Sequence, residues 1–269
     1  MKDRGIWRGA ILGFFLLYMI IPLIATAIFS VSTRWDHTIL PEGLTLEWWN
    51  AVTTRRAFAL TLKNSMVIAF WTVLLSVILV TPTAYWAHLR VPRAKPWMEL
   101  MTILPFGIPG VILALALIRF YSNVPLPIIN KPAILIAACM VISLPFMYRP
   151  VVNALEAIDI RTLTEAGLSL GASWPQILLK IIIPNIFPGI INGSLLVFTT
   201  VFAEFTLSNL LLGSRFKTFP IYLVEFTRFD GRQASALAVI SFTVAWMASL
   251  VLLRLVRSRT HIEEAVGAR

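Results

Sequence analysis

The chain has 269 residues, 58% of them hydrophobic and 13% charged, with a mean hydropathy of +0.82; a soluble domain carries about 25% charge, so this composition excludes an ordinary soluble protein and indicates an integral membrane one. The net charge of +10 fits lysine and arginine anchoring at anionic leaflets and not nucleic-acid binding, because no basic patch with interleaved aromatics accompanies it. Cys139, the single cysteine, cannot make an internal disulfide and reads as a small apolar packing residue, while His37, His88 and His261 fall in separate segments with no second ligand at metal-binding spacing.

The first apolar run, Ile11 to Ser30, follows Lys2, Arg4 and Arg8 and contains Ala25-Thr26-Ala27. It is longer than the roughly 7 to 15 apolar residues of a signal peptide and further runs follow it, so it is read as a retained span. Crossing the hydrocarbon core takes about 20 apolar residues, and six segments supply them: about 10–31, 62–86, 97–121, 133–154, 187–212 and 234–256. The expectation is an all-α membrane protein, a single transmembrane domain over 1–269 with six spans. An even number puts both termini on one side, together with the connections near 90–96 and 155–186; those at 32–61, 122–132 and 213–233 lie opposite. Of the 23 lysines and arginines, Lys2, Arg4, Arg8, Arg90, Arg93, Lys95, Arg149, Arg161, Lys180, Arg254, Arg257, Arg259 and Arg269 fall on the terminal side, a bias that points to cytoplasmic termini.

Proline and glycine interrupt the spans. In LPFGIPG of the third, Pro105, Gly107, Pro109 and Gly110 must loosen the helix, and lipid cannot satisfy the freed carbonyls. That segment is either a kink packed on a neighbour or the lining of a wet pathway. Glu204 is the carboxylate deep within a predicted span, the fifth, where an ionised group costs about 2.5 kcal/mol or more and should face the bundle interior. Gly193, Val197, Thr200, Glu204 and Ser208 step at helical spacing into a small, polar stripe. Two readings stand: a solute pathway carried by Thr200, Glu204 and Ser208, or a helix-helix seam. On an unbroken helix Glu204 would lie roughly 25 Å from Phe187.

Between the fourth and fifth spans the text turns compact: DIRTLTEAGLSLGASWPQILLKIIIP. Leu163, Ala166 and Leu170 fall on one side of a first short helix, with Thr162, Glu165 and Ser169 on another. Gly171 can take positive φ and end it, Ser173 is placed as the N-cap of a second helix with Pro175 in its first turn, and Pro184 stops that helix. A helix pair of this size at the cytoplasmic face is suited to docking.

No G-x-x-x-x-G-K-[ST] occurs, so the chain holds no nucleotide on a P-loop. G-x-S-x-G and H-E-x-x-H are also absent, and no catalytic or metal site is expected.

Glu165-Ala166-Gly167, three residues, Gly171, nine residues, Ile181, one residue, Ile183-Pro184 resembles the EAA loop of type I ABC importer permeases, with glycine at 167 for alanine and isoleucine at 183 for leucine. The resemblance extends through LTLEWWNAV, LKNSMVIAF and MYRPVVNALEAID and is most similar to the spermidine/putrescine and 2-aminoethylphosphonate group. It implies six transmembrane helices with a cytoplasmic coupling loop over about 155–186, in which Glu165, Ala166, Gly167, Leu168, Leu170, Gly171 and Pro184 engage an ATPase. It also implies a bacterial inner-membrane protein that works with a second permease (a different chain as in polyamine importers, or a second copy), two ATP-binding subunits and an extracytoplasmic solute-binding protein. ATP and Mg belong to the ATPases, and this chain carries no cofactor. The solute expected is a polyamine or a similar small polar molecule. A secondary transporter or channel driven by an ion gradient is the alternative, which has no use for such a loop. Glycine at 167 is expected to weaken the first loop helix by up to about 1 kcal/mol relative to alanine.

Overall fold

The computed structural model describes residues 2–122 and 131–267; the connection expected at 122–132 lies almost wholly outside them. Four expected spans are single helices: α1 (Lys2–Val31), α3 (Arg56–Arg90), α6 (Pro132–Glu156) and α13 (Gly231–Gly267), with α2 (Glu47–Thr53) between the first two and α12 (Phe219–Thr227) before the last in the chain. Their apolar lengths, Ile11–Val31, Arg56–Arg90, Pro132–Glu156 and Gly231–Arg254, suffice to cross a bilayer.

The other two expected spans are not continuous. In the third, α4 (Lys95–Ile103) passes into a 3-10 turn at Leu104–Gly107, and Ile108 is extended (φ −104°, ψ 113°) before α5 (Gly110–Ser122) begins. Pro109 drives this: it disfavours helical geometry at the residue before it and offers no N–H of its own. The segments Pro92–Gly107 and Gly110–Ser122 meet at 96°.

The fifth expected span, 187–212, is also corrected. It splits into α10 (Phe187–Phe202) and α11 (Thr206–Leu211), with Ala203, Glu204 and Phe205 between them. In an unbroken helix the Leu207 amide would bond the Ala203 carbonyl; here it donates to Glu204 Oε1 at 2.7 Å. A side chain competing for a backbone donor ends the helix without glycine or proline. Upstream, the helical run Trp174–Asn185 meets α10 at 76°. Among the described residues four helices are thus long and apolar enough to cross a bilayer, and counting each bent pair as one span brings the number to six.

The chain forms two compact units. One comprises Met1–Leu60 and Tyr222–Val244. In it the segment after α1 folds back, joined by the antiparallel bridge between Ser32 and Leu44. Trp48 Nε1 donates to the Ser32 carbonyl at 2.8 Å, Trp49 Nε1 meets Ser30 Oγ at 3.2 Å, and the Tyr222 hydroxyl donates to the Val52 carbonyl at 3.2 Å. Arg232 stacks over the Trp48 ring and donates to the Thr33 carbonyl.

The other unit comprises Thr61–Ile221 and Ala245–Arg269. Its centre is the contact of α6 with α10, made close by two glycines. A Cβ on Gly189 would lie 2.6 Å from the Pro150 carbonyl oxygen and 2.5 Å from the Ala154 methyl; one on Gly193 would lie 2.8 Å from Met147 Sδ. Gly189 and Gly193 form a small-xxx-small seam, which lets backbones approach where lipid supplies no hydrophobic drive. Met147, Tyr148, Val151, Leu155 and Cys139 are buried in the same core, and so are Ile177, Ile182 and Ile186 from the loop. The loop is therefore rooted in the bundle through its second helix.

Candidate functional site: the loop between α6 and α10

The loop is built from caps. Asp159 starts α7 (Ile160–Ser169), its carboxylate accepting the Thr162 amide at 3.1 Å and the Thr162 hydroxyl at 2.7 Å. These bonds, first of all the one from the hydroxyl, favour the ionised form and hold the Asp159 pKa below the usual carboxylate value. At the other end the Gly171 amide donates to the Leu168 carbonyl at 2.9 Å and the Ala172 amide to the Gly167 carbonyl at 3.0 Å. This is the Schellman arrangement, and Gly171 takes the positive φ it needs, +78°.

Ser173 and Gln176 then close a capping box, with the Ser173 amide donating to Gln176 Oε1 at 2.8 Å at the head of α8 (Trp174–Ile177). α8 continues through a π-turn, Leu178–Ile182, into α9 (Ile183–Asn185). The Ile183 amide donates five residues back to the Leu178 carbonyl. Pro184 has no N–H to give the Lys180 carbonyl and its ring crowds it, and one wide turn absorbs that clash. The helix ends at Asn185, one residue past Pro184, and the chain turns at Ile186.

α7 packs through Ile160, Leu163, Thr164 and Gly167, the i, i+3, i+4, i+7 pattern of one helical face. Ala166 and Leu170, expected beside Leu163, are instead exposed, Leu170 at 88%. The reason lies in Gly167. A Cβ there would sit 2.9 Å from Ile177 Cγ1 and 3.2 Å from both Ile177 Cδ1 and Ile181 Cδ1. Glycine admits the branched side chains of the second helix, and this rotates the packed face toward it. The expectation that Gly167 simply weakens α7 misses this contact.

Five of the seven predicted coupling residues, Glu165, Ala166, Leu168, Leu170 and Gly171, thus lie together on the exposed edge and cap, while Gly167 is buried and Pro184 half-buried on the supporting side. Glu165 pairs with Arg161 Nε at 3.0 Å, one turn back; both are exposed, so the pair orients charge more than it stabilises. A polar cleft of about 260 Å³ runs beside them, lined by Arg90, Arg161, Thr164, Glu165, Leu168 and Trp174 among others. The end of α3 reaches this cleft: the Tyr85 hydroxyl lies 2.8 Å from Thr164 Oγ1, and the Arg90 guanidinium lies over the Trp174 ring at 4.9 Å. No local pattern in the sequence foretells these two contacts.

The predicted pathway residues are not one stripe. Thr200 is half-buried near the end of α10, Glu204 sits in the break and caps α11, and Ser208 is buried with its hydroxyl donating to the Glu204 carbonyl at 2.8 Å. Gly193, the stripe's first member, belongs to the seam with α6.

Broken spans, and a capped helix pair rooted in the bundle but presenting an edge outward, define a class: a multi-pass membrane component with a structured helical loop between two of its spans. Residues 80–261 match the family described as binding-protein-dependent transport system inner membrane component, and the chain belongs to that family. It is the permease of a binding-protein-dependent ABC importer, an inner-membrane transport subunit. Among its relatives are the spermidine/putrescine transport system permease protein PotB of Escherichia coli K12, 28% identical over 76% of this chain and 79% of that protein, and PotC of the same organism, 23% identical over 94% and 95%. Among solved structures, a bacterial ABC transporter involved in import of the acidic polysaccharide alginate aligns over 94% of this chain and 96% of its own, with TM-score 0.72 and 19% identity. The MetNI methionine ABC transporter, in inward-facing conformations, aligns over 77% and 99% with TM-score 0.59 and 20% identity. At these identities the structures speak for the fold.

Proposed function

We propose that this permease couples to a separate ATPase through the exposed edge of α7 and its cap, Glu165, Ala166, Leu168, Leu170 and Gly171, with Gly167 and Pro184 setting the shape of the support. The observation that carries the proposal is the double capping of α7 between Asp159 and Gly171, together with the burial of Ile177, Ile182 and Ile186 beneath it. A docking element must transmit displacement instead of absorbing it, and a capped helix rooted in a packed core does so. Two ATP-binding subunits would hold ATP and Mg. A second permease, an extracytoplasmic binding protein and cytoplasmic termini complete the arrangement, and the whole chain acts as a single permease domain within it.

For the solute, the likeness to the spermidine/putrescine permeases PotB and PotC supports a polyamine or a similar small polar molecule. Glu204, a carboxylate at a break in a membrane helix, supports it too, since unwound backbone at membrane depth is tolerated where it lines a cavity or is covered by protein. Thr200 lies one turn before it, half-buried near the end of α10. Ser208, bonded back to Glu204, supports the break from behind.

Glu165→Lys tests the coupling assignment. The variant should reach the membrane in normal amount yet lose the ATPase on purification or lose solute-stimulated ATP hydrolysis. Normal stimulated hydrolysis would refute the assignment.

A further inference from the structure

The last turns of α3 hold both halves of the loop. Tyr85 and Thr164 are each nearly inaccessible, at 3% and 2%, and their hydroxyls are 2.8 Å apart. Thr164 also bonds the Ile160 carbonyl at 2.6 Å, so its hydroxyl joins α3 to the first turn of α7. One residue further along α3, Trp86 meets Trp174 edge to face at 5.3 Å. Arg90, one turn beyond Trp86 on the same face, lies over both rings, 5.7 Å from Trp86 and 4.9 Å from Trp174. Trp174 opens α8. The first contact fixes α7 and the second fixes α8, and both originate within Tyr85–Arg90.

The same stretch of α3 also faces the end of α6. His88 Nε2 lies 3.8 Å from Glu156 Oε1, and Lys95, just after α3, pairs with Glu156. The segment entering the loop is therefore held as well.

We propose that Tyr85, Trp86 and Arg90 form a two-point clamp by which α3 moves with the coupling loop, with Trp174 and Thr164 as its seats; these are positioning residues that carry the ATPase stroke into the third helix of the chain. A loop tied only to α6 and α10, its chain neighbours, would move those helices and leave α3 to follow by side-chain packing. Two directional contacts at different azimuths of α3 prevent it from slipping or rotating against the loop. A planar guanidinium over an aromatic face tolerates small sliding while keeping its distance, whereas the buried hydroxyl pair does not: losing the Thr164 hydroxyl leaves that of Tyr85 unsatisfied, and losing the Tyr85 hydroxyl removes the bond between α3 and α7 while Thr164 keeps the Ile160 carbonyl. The pair therefore sets register and the stack guards orientation.

The inference rests on the coupling reading above, and its test separates the two. The assembled importer, with its ATPases and binding protein, is reconstituted into proteoliposomes, and solute transported per ATP hydrolysed is measured for Tyr85→Phe, Thr164→Val, Trp174→Ala and Trp174→Phe. Removing one hydroxyl of a buried pair should lower transport per ATP about fivefold with the ATPase still attached. The double variant Tyr85→Phe with Thr164→Val should lower it no further than the worse single one. Trp174→Ala should uncouple by a similar factor, and Trp174→Phe, which keeps an aromatic face for Arg90, should restore at least half of the ratio. Wild-type transport per ATP in both Tyr85→Phe and Trp174→Ala would overturn the clamp, as would a Trp174→Ala defect that phenylalanine does not rescue. Failure of the coupling reading looks different: the ATPase then stays bound and stimulated in Glu165→Lys, whatever residue stands at 174.

Discussion

At the scale of single residues, glycine does most to shape this protein, and it does so by the contact it permits. Gly189 and Gly193 bring α10 onto the backbone of α6 at Pro150 and Met147. Gly193→Leu would have to push the two helices apart, at a cost of about 1 to 3 kcal/mol for overpacking, and we expect a lower midpoint in a thermal melt of the purified protein in detergent. Gly167 faces isoleucine side chains instead of backbone, with Ile177 Cγ1 the nearest atom and the Cδ1 atoms of Ile177 and Ile181 behind it. Gly167→Ala should therefore be nearly neutral, a gain of about 1 kcal/mol in helix propensity offsetting the displaced Ile177 and Ile181, while Gly167→Leu should separate α7 from α8 and abolish coupling in the transport assay. Glu204 offers a sharper discrimination. Glu204→Gln retains an oxygen for the Leu207 amide and so keeps the cap, while it removes the charge; uptake should fall with assembly intact, and unchanged uptake would leave Glu204 a capping role alone. The glycine spacing PGIING stands in the sequence and could have been read as a seam. The break at Glu204 is harder to see, because no proline or glycine marks it and the apolar pattern runs on through Leu212.

At the scale of elements, the loop shows how much of a site local rules can place. Gly171 as a left-handed cap, Ser173 as an N-cap and the helix pair itself follow from sequence, because capping chemistry is local. Which face of α7 is buried does not, because it depends on Ile177 and Ile181, ten or more residues away. The prolines of LPFGIPG correctly announce a loosened third span; that the chain there turns by 96° is set by Ile108 going fully extended. Asp159 gives a test confined to one element. Its pKa is lowered in the folded protein by the Thr162 bonds, so its contribution is present above the ordinary carboxylate pKa and is lost as pH falls through the lowered folded value; at neutral pH it is complete. Asp159→Ala should thus speed hydrogen exchange of the first-turn amides of α7 at neutral pH, whereas Asp159→Asn, which keeps an acceptor, should not. Equal exchange in both variants would show that α7 is held by packing and not by its cap.

At the scale of the whole molecule, the composition and six apolar runs already require a multi-pass membrane protein, and the spacing around Glu165 and Gly171 points to the family to which residues 80–261 belong. What a single sequence could not supply is the long-range part: Tyr85 meeting Thr164 and Arg90 meeting Trp174 join positions about 80 residues apart through side chains that no periodicity links. The central claim is that the exposed edge of α7 is gripped by an ATPase. Leu170 is the place to test it, being 88% exposed, while Cys139, the single native cysteine, is 1% exposed in the core and contributes little background. Leu170→Cys, carrying a short bifunctional cross-linker in the assembled importer, should give one dominant adduct whose mass is that of permease plus ATPase, and its yield should change when ATP is added. If instead Leu170→Cys stays uncross-linked in a complex that retains its ATPase, or is labelled by an impermeant thiol reagent applied from outside the cell, the edge of α7 is not the docking surface and the account of this loop is wrong.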